Sequence, residues 1–223
     1  MTDRHVYLIN PNSSETVTEA MARAVAHLPP GDRLRCVTSK GGPLAIESSE
    51  DAEAAIPPMV ALARELEATA GAFVIACFSD PGLEEMRATF DVPVFGIRDC
   101  ATATAMTLGA RFGVVAILEN SVTRQRDAFG RLGLTPRWAG SRALGLGVAE
   151  LADPATAEAR VLETGHALRH QDGADVLILG CAGMSGYRQA LADATGLPVV
   201  DPTQAAAAMA LGHMLSHGAS GSQ

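Results

Sequence analysis

Lysine is almost missing from this 223-residue chain: Lys40 is the only one. A pyridoxal-phosphate enzyme needs a Schiff-base lysine, and Lys40 stands beside Gly41-Gly42-Pro43, in a loop rather than behind a strand. No pyridoxal phosphate is therefore expected. The positive charge is otherwise arginine, with no basic cluster, and the formal net charge is −8. That balance argues against a nucleic-acid or anionic-membrane partner. No apolar run is long enough to span a bilayer. The short run before Asn10-Pro11 is not a signal-peptide core, so a cytoplasmic location is expected. The 4 cysteines lack Cys-x-x-Cys spacing and should stay reduced there. There is also no G-x-G-x-x-G after a strand, no Walker A sequence and no G-x-S-x-G, which leaves no seat for a nucleotide cofactor and no serine nucleophile elbow. His166 and His170 stand four apart on an expected helix without a third ligand nearby, so they read as a solvated helix face, and no metal is expected.

With 48% hydrophobic and 19% charged residues, the chain has ample material for a packed core. Two stretches organise it: Gly71-Ala-Phe-Val-Ile-Ala-Cys77-Phe-Ser-Asp80-Pro and Gly173-Ala-Asp-Val-Leu-Ile-Leu-Gly-Cys181-Ala-Gly-Met-Ser185. Each opens Gly-Ala, runs through a short apolar strand and delivers a cysteine at its carboxyl end. The match continues through Pro93-Val94 and Pro198-Val199 into Ala/Thr-rich helices holding Met106 and Met209. This is the pattern of an internal duplication.

Along the chain, strands are expected at 5–9, 34–37, 72–77, 94–97, 112–117, 175–179 and 199–200. Helices alternate with them. Val17, Met21, Val25 and Leu28 fall at helical spacing, Pro81 is placed to open a helix through about Phe90, and Asp99 is an N-cap candidate for the next. Ser48 or Ser49 could cap the helix before Gly71, but Pro57-Pro58 would then fall inside it, so its start is open between the two. Asn120 or Ser121 can cap the Arg-rich helix, Asp153-Pro154 starts another that runs to about Arg169, and residues 137–148 are glycine-rich and unassigned. The terminal helix reaches about Leu215, and the tail 218–223 reads as disordered.

The fold class is α/β: two pseudo-symmetric lobes, each a mainly parallel sheet flanked by helices, with the active site in the crevice between them. Residues 1–97 plus 205–223 form the first lobe, carrying Cys77, and 98–204 form the second, carrying Cys181. Ligands of open α/β sheets sit outside the carboxyl ends of the strands, so two facing ends would aim two thiols into one crevice. The turn into a helix after each cysteine turns backbone N–H groups toward the sulfur and favours thiolate. One thiolate and one thiol could then take a proton from one face of a carbon and return one to the other. The plainer alternative is a pair of inert core cysteines. Ser79, Asp80 and Ser185 are equally helix caps or substrate contacts, Asn10 a turn residue or a contact, and Cys36 and Cys100 small core residues.

The segments Leu8-Ile-Asn-Pro-Asn12, Gly42-Pro43 with Ile46-Glu47, Ala76-Cys-Phe-Ser-Asp-Pro-Gly-Leu83 and Leu179-Gly-Cys-Ala-Gly-Met184 resemble the aspartate/glutamate racemase superfamily and, within it, the hydantoin racemases. The resemblance implies a cofactor-independent enzyme with Cys77 and Cys181 as opposed acid and base, acting on a small-molecule substrate as a homo-oligomer. Asn10, Ser79, Asp80, Ala182 and Gly183 are the expected substrate-binding residues. The amino-acid racemases of the superfamily typically show Cys-Asn-Thr and Gly-Cys-Thr-Glu or Gly-Cys-Thr-His, whereas here the cysteines are followed by Phe78-Ser79 and Ala182-Gly183, which points away from a free amino acid. Where hydantoin racemases tend to carry threonines, this chain has Glu119-Asn120-Ser121. Racemisation at C5 of a 5-substituted hydantoin is the first expectation. Allantoin racemisation is the nearest alternative, with maleate-isomerase-like or decarboxylase-like chemistry more distant. A small-ligand binder or a thiol redox sensor is the reading from a different class.

Overall fold

A computed structural model describes residues 4–217. The expectation for the tail 218–223 lies outside the described residues. Among the described residues, eight strands divide into two parallel four-stranded sheets. In the first, β1 (His5–Asn10), β2 (Leu34–Thr38), β3 (Ala70–Ile75) and β4 (Val94–Gly96) lie in the order β2-β1-β3-β4. In the second, β5 (Phe112–Ala116), β6 (Trp138–Ala143), β7 (Val176–Leu179) and β8 (Val199–Val200) lie in the order β6-β5-β7-β8. One order repeated is the duplication expressed as topology. It puts Cys77 and Cys181 in equivalent places, each two residues beyond the third strand of its own lobe's sequence.

The apolar runs are continuous because both faces of each sheet are covered. On β1, Val6 and Leu8 face α1 (Glu15–Val25) through Val17, Met21 and Val25, and face α9 (Pro202–His217) through Ala206, Ala210 and Leu211. Tyr7 and Ile9 point the other way, onto Phe73, Ile75 and Met59. Period-2 alternation thus feeds two cores from one strand. In the second lobe, Val115 and Leu179 pack with Val161 and Leu168 of α7 (Pro154–His170), while Phe112, Val114 and Ile178 pack with Ala101 and Ala105 of α5 (Ile97–Leu108) and Phe129 of α6 (Glu119–Arg131). The terminal helix α9 lies against α5 and the first sheet.

Several local expectations are refined. Both readings of the segment before Gly71 hold in part: Ser48 caps α2 (Ser49–Ala54) in a capping box with Asp51, the chain breaks at Ala55, and α3 (Ile56–Leu66) begins with Pro57 and Pro58 in its first turn. Pro81 does not open a helix, because Asp80 and Gly82 take positive φ and α4 (Leu83–Thr89) starts only after them. Asp99 lies inside α5, which starts at Ile97, so it is not the cap. Neither Asn120 nor Ser121 caps α6, whose N-cap is Leu118 with no side-chain bond. The unassigned stretch contains edge strand β6, half-buried throughout, which a local apolar count cannot detect.

Candidate active site

A cavity of about 410 Å³ lies between the lobes, in the size range of small-molecule sites. The first lobe lines it with Asn12, Ile46, Cys77, Phe78 and Ser79, and the second with Ile117, Ser121, Arg124, Gln125, Cys181 and Ala182. The two thiols therefore meet at one cavity. A larger groove of about 1020 Å³ runs along α1 and the 3-10 segment Ala182–Tyr187. It contains neither cysteine, so chemistry rather than size picks out the smaller space.

Each sulfur is held in the same way. Gly183 N–H donates to Cys181 Sγ at 3.4 Å, and Ser79 supplies Cys77 with a backbone N–H and a hydroxyl whose Oγ lies 3.3 Å from Sγ. Such donors favour thiolate. Gly180 lets the chain turn this closely: a Cβ there would stand 2.5 Å from the Val115 carbonyl oxygen. Both cysteines are half-exposed, but to the floor of a cleft, and desolvation there outweighs the donors. Burial raises the Cys77 thiol, opposed by the Ser79 hydrogen bonds and the Arg124 charge. Burial pushes Cys181 up to about 12, helped by the charges of Cys77 and Glu47. The two thiols feel each other's charge, so ionisation of one disfavours ionisation of the other. Arg124 favours charge on Cys77, whereas Glu47 opposes it on Cys181. Cys100 is buried, and burial raises its thiol to about 12; it does not border the cavity.

The remaining expected contacts separate. Ser79 and Ala182 line the cavity, while Gly183 borders the larger groove and spends its N–H on Cys181. Asn10 is fully buried behind the cavity, where its Nδ2 donates to Asn12 Oδ1 and to the Ser14 carbonyl, both at 2.9 Å. It shapes the β1–α1 loop, and Asn12 is the loop residue that reaches the cavity. Asp80 is also turned away: its carboxylate accepts the backbone N–H groups of Arg98 and Asp99, both at 3.1 Å, and stands 3.5 Å from Arg98 Nη2. It is the N-terminal cap of α5, supplied from another turn, and Gly96 leaves room for it. Burial pushes its carboxyl up to about 7 against the pull of Arg98.

Sequence reasoning missed Arg98, Arg124, Gln125 and Glu47. Arg98 borders the cavity and holds the Ser79 carbonyl at 3.2 Å. Glu47 ties the lobes together: its carbonyl accepts from Asn120 Nδ2 at 2.7 Å and Arg124 Nη1 at 2.8 Å, and its carboxylate accepts Val148 N–H at 2.9 Å. The Glu119–Ser121 departure thus acquires roles, with Asn120 on this tie and Ser121 on the cavity wall. The available signal was the spacing 121, 124, 125, 128, one face of a helix. No group of three or more metal-ligating side chains occurs among the described residues; His166 and His170 stack with ring centroids 6.0 Å apart. No helix among them is long and apolar enough to cross a membrane.

Two lobes of one topology thus meet over a shared cavity at equivalent strand ends. The family described as Asp/Glu/Hydantoin racemase matches residues 6–210, and the chain belongs to it. A hydantoin racemase of Rhizobium meliloti is 37% identical over 92% of this chain and 87% of its own length. Among solved structures, allantoin racemase from Pseudomonas fluorescens has a TM-score of 0.89 at 30% identity, covering 95% of this chain and 91% of that one. Allantoin racemase from Klebsiella pneumoniae gives 0.88 at 29%, covering 96% and 89%.

Proposed function

We propose that this protein racemises 5-substituted hydantoins at C5, without a cofactor, using Cys77 and Cys181 as its two bases. The observation that carries the reading is the convergence of both thiols, from equivalent strand ends of opposite lobes, on one cavity. In one direction a thiolate takes the C5 proton, and the electron pair passes onto the neighbouring carbonyl as an enolate. The opposite thiol then gives its proton to the other face of C5. Turnover leaves the inverted carbon and exchanges the protonation states of the cysteines. The hydroxyl of Ser79 and the nearby Arg98 guanidinium supply the field that stabilises the enolate oxygen.

Allantoin is a second substrate reading, since it is a hydantoin with a ureido group at C5. It is favoured by the polar wall that Ser121, Arg124 and Gln125 present to the cavity. Polarimetry on optically pure hydantoins with apolar substituents, and on allantoin, is the test. Decay of rotation to zero after exhaustive dialysis against chelator is expected for at least one of them. A rate restored only by added zinc or pyridoxal phosphate would remove the proposal.

A further inference from the structure

The cavity wall on α6 holds a polar group that no contact within the protein accounts for. Gln125 is 6% exposed and borders the cavity, and its Oε1 is buried without a hydrogen-bond partner. The polar neighbours on the same face are engaged: Arg124 donates to Ser121 Oγ at 3.1 Å and to the Glu47 carbonyl at 2.8 Å. A buried amide oxygen left without a donor is destabilising, and an apolar side chain of similar size would suit the helix as well. Its place on the cavity wall gives it a partner once the cavity is filled.

We propose that Gln125 is a specificity-determining residue that reads the amide edge of a cyclic ureide. This rests on the racemase reading above and narrows its substrate class. A carboxamide offers one acceptor and two donors side by side. In a five-membered hydantoin ring each amide is held cis, so N–H and C=O point the same way and match a carboxamide through two antiparallel hydrogen bonds. A half-turn of the terminal torsion exchanges Oε1 and Nε2, so the side chain accommodates either order. An open-chain amino acid presents an ammonium and a carboxylate instead, and lacks that edge. The selected class is therefore cyclic ureides and imides with an unsubstituted ring nitrogen.

The test compares kcat/KM of wild type, Gln125→Met and Gln125→Leu on one optically pure 5-substituted hydantoin and on its counterparts methylated at each ring nitrogen. Wild type is expected to lose about tenfold or more on methylation of the contacted nitrogen, the usual effect of a buried group left unpaired. Gln125→Met should lose a similar factor on the parent substrate, mainly through KM, and methylation of that nitrogen should cost it little more. Its melting temperature should stay level or rise, because an unbonded buried acceptor has been removed. Gln125→Leu provides the same comparison should the methionine variant fold poorly. Unchanged kcat/KM on the parent, or a loss that preserves wild type's penalty for methylation, would overturn the assignment. A wild-type protein that racemises no hydantoin would instead overturn the reaction on which it rests.

Discussion

Cys77→Ala and Cys181→Ala are each expected to abolish net racemisation while leaving the fold intact. General acid–base catalysis is worth about 10²- to 10⁴-fold per group. In the proposed mechanism the two thiols act as a unit, because either direction needs one to accept a proton and the other to give one. The effects are therefore non-additive: the double variant should be little worse than either single one. Each residue is half-exposed at the cavity, so removing its sulfur leaves no sealed void in a core and costs little stability. Serine should preserve the shape and the neighbouring hydrogen bonds, bind substrate, and still fail, since a hydroxyl is a far weaker base. Initial rates from each enantiomer, alongside a thermal unfolding curve, check this. Substantial racemisation by either alanine variant would refute the assignment.

The second large effect is on pH. Both thiols are raised above the ordinary value of 9.0, so at neutral pH the thiolate is a minor species. Below the first ionisation its fraction rises tenfold per pH unit. After subtraction of the uncatalysed rate, kcat/KM should climb about tenfold per unit between pH 6 and 8, equally for both enantiomers. Arg124 and the Ser79 hydrogen bonds favour charge on Cys77, so its proton should leave first, while the raised Cys181 remains the thiol that donates. A falling limb is expected only as pH approaches the Cys181 value of about 12. Arg124→Met removes a positive charge near Cys77, and the rising limb should move to higher pH. A rate independent of pH from 6 to 9 would contradict a thiolate base.

What the sequence made legible was what repeats locally. The Gly-Ala openings, the apolar runs and the Pro-Val pairs recur because the two lobes solve one packing problem twice, and the strand orders bear that out. Contacts that cross the chain left no local signature. Asp80 looks like an ordinary turn residue until α5 arrives with the N–H groups of Arg98 and Asp99. Glu47 reaches Val148 across 101 positions, a tie that no spacing rule encodes. Strand β6 was unreadable for another reason: an edge strand written Trp-Ala-Gly-Ser-Arg-Ala, half-buried at every position and steadied by Arg142 on Asp172 at 2.6 Å, has neither alternation nor an apolar run. The wall of α6 lies between these cases. Its spacing was present in the sequence, but which face meets a cavity depends on the opposite lobe.

The measurement that bears most directly on the two-base account is racemisation of a single enantiomer in D₂O, stopped early and analysed for deuterium in substrate and product separately. If Cys77 and Cys181 stand on opposite faces of the reacting carbon, the proton removed by one is not the one returned by the other. Early product should carry solvent deuterium at C5 while unreacted substrate stays protiated, and the reverse experiment from the other enantiomer should mirror it. Deuterium appearing equally in substrate and product, or product formed without it, would mean one base serving both faces, and the two-thiol mechanism would have to be abandoned.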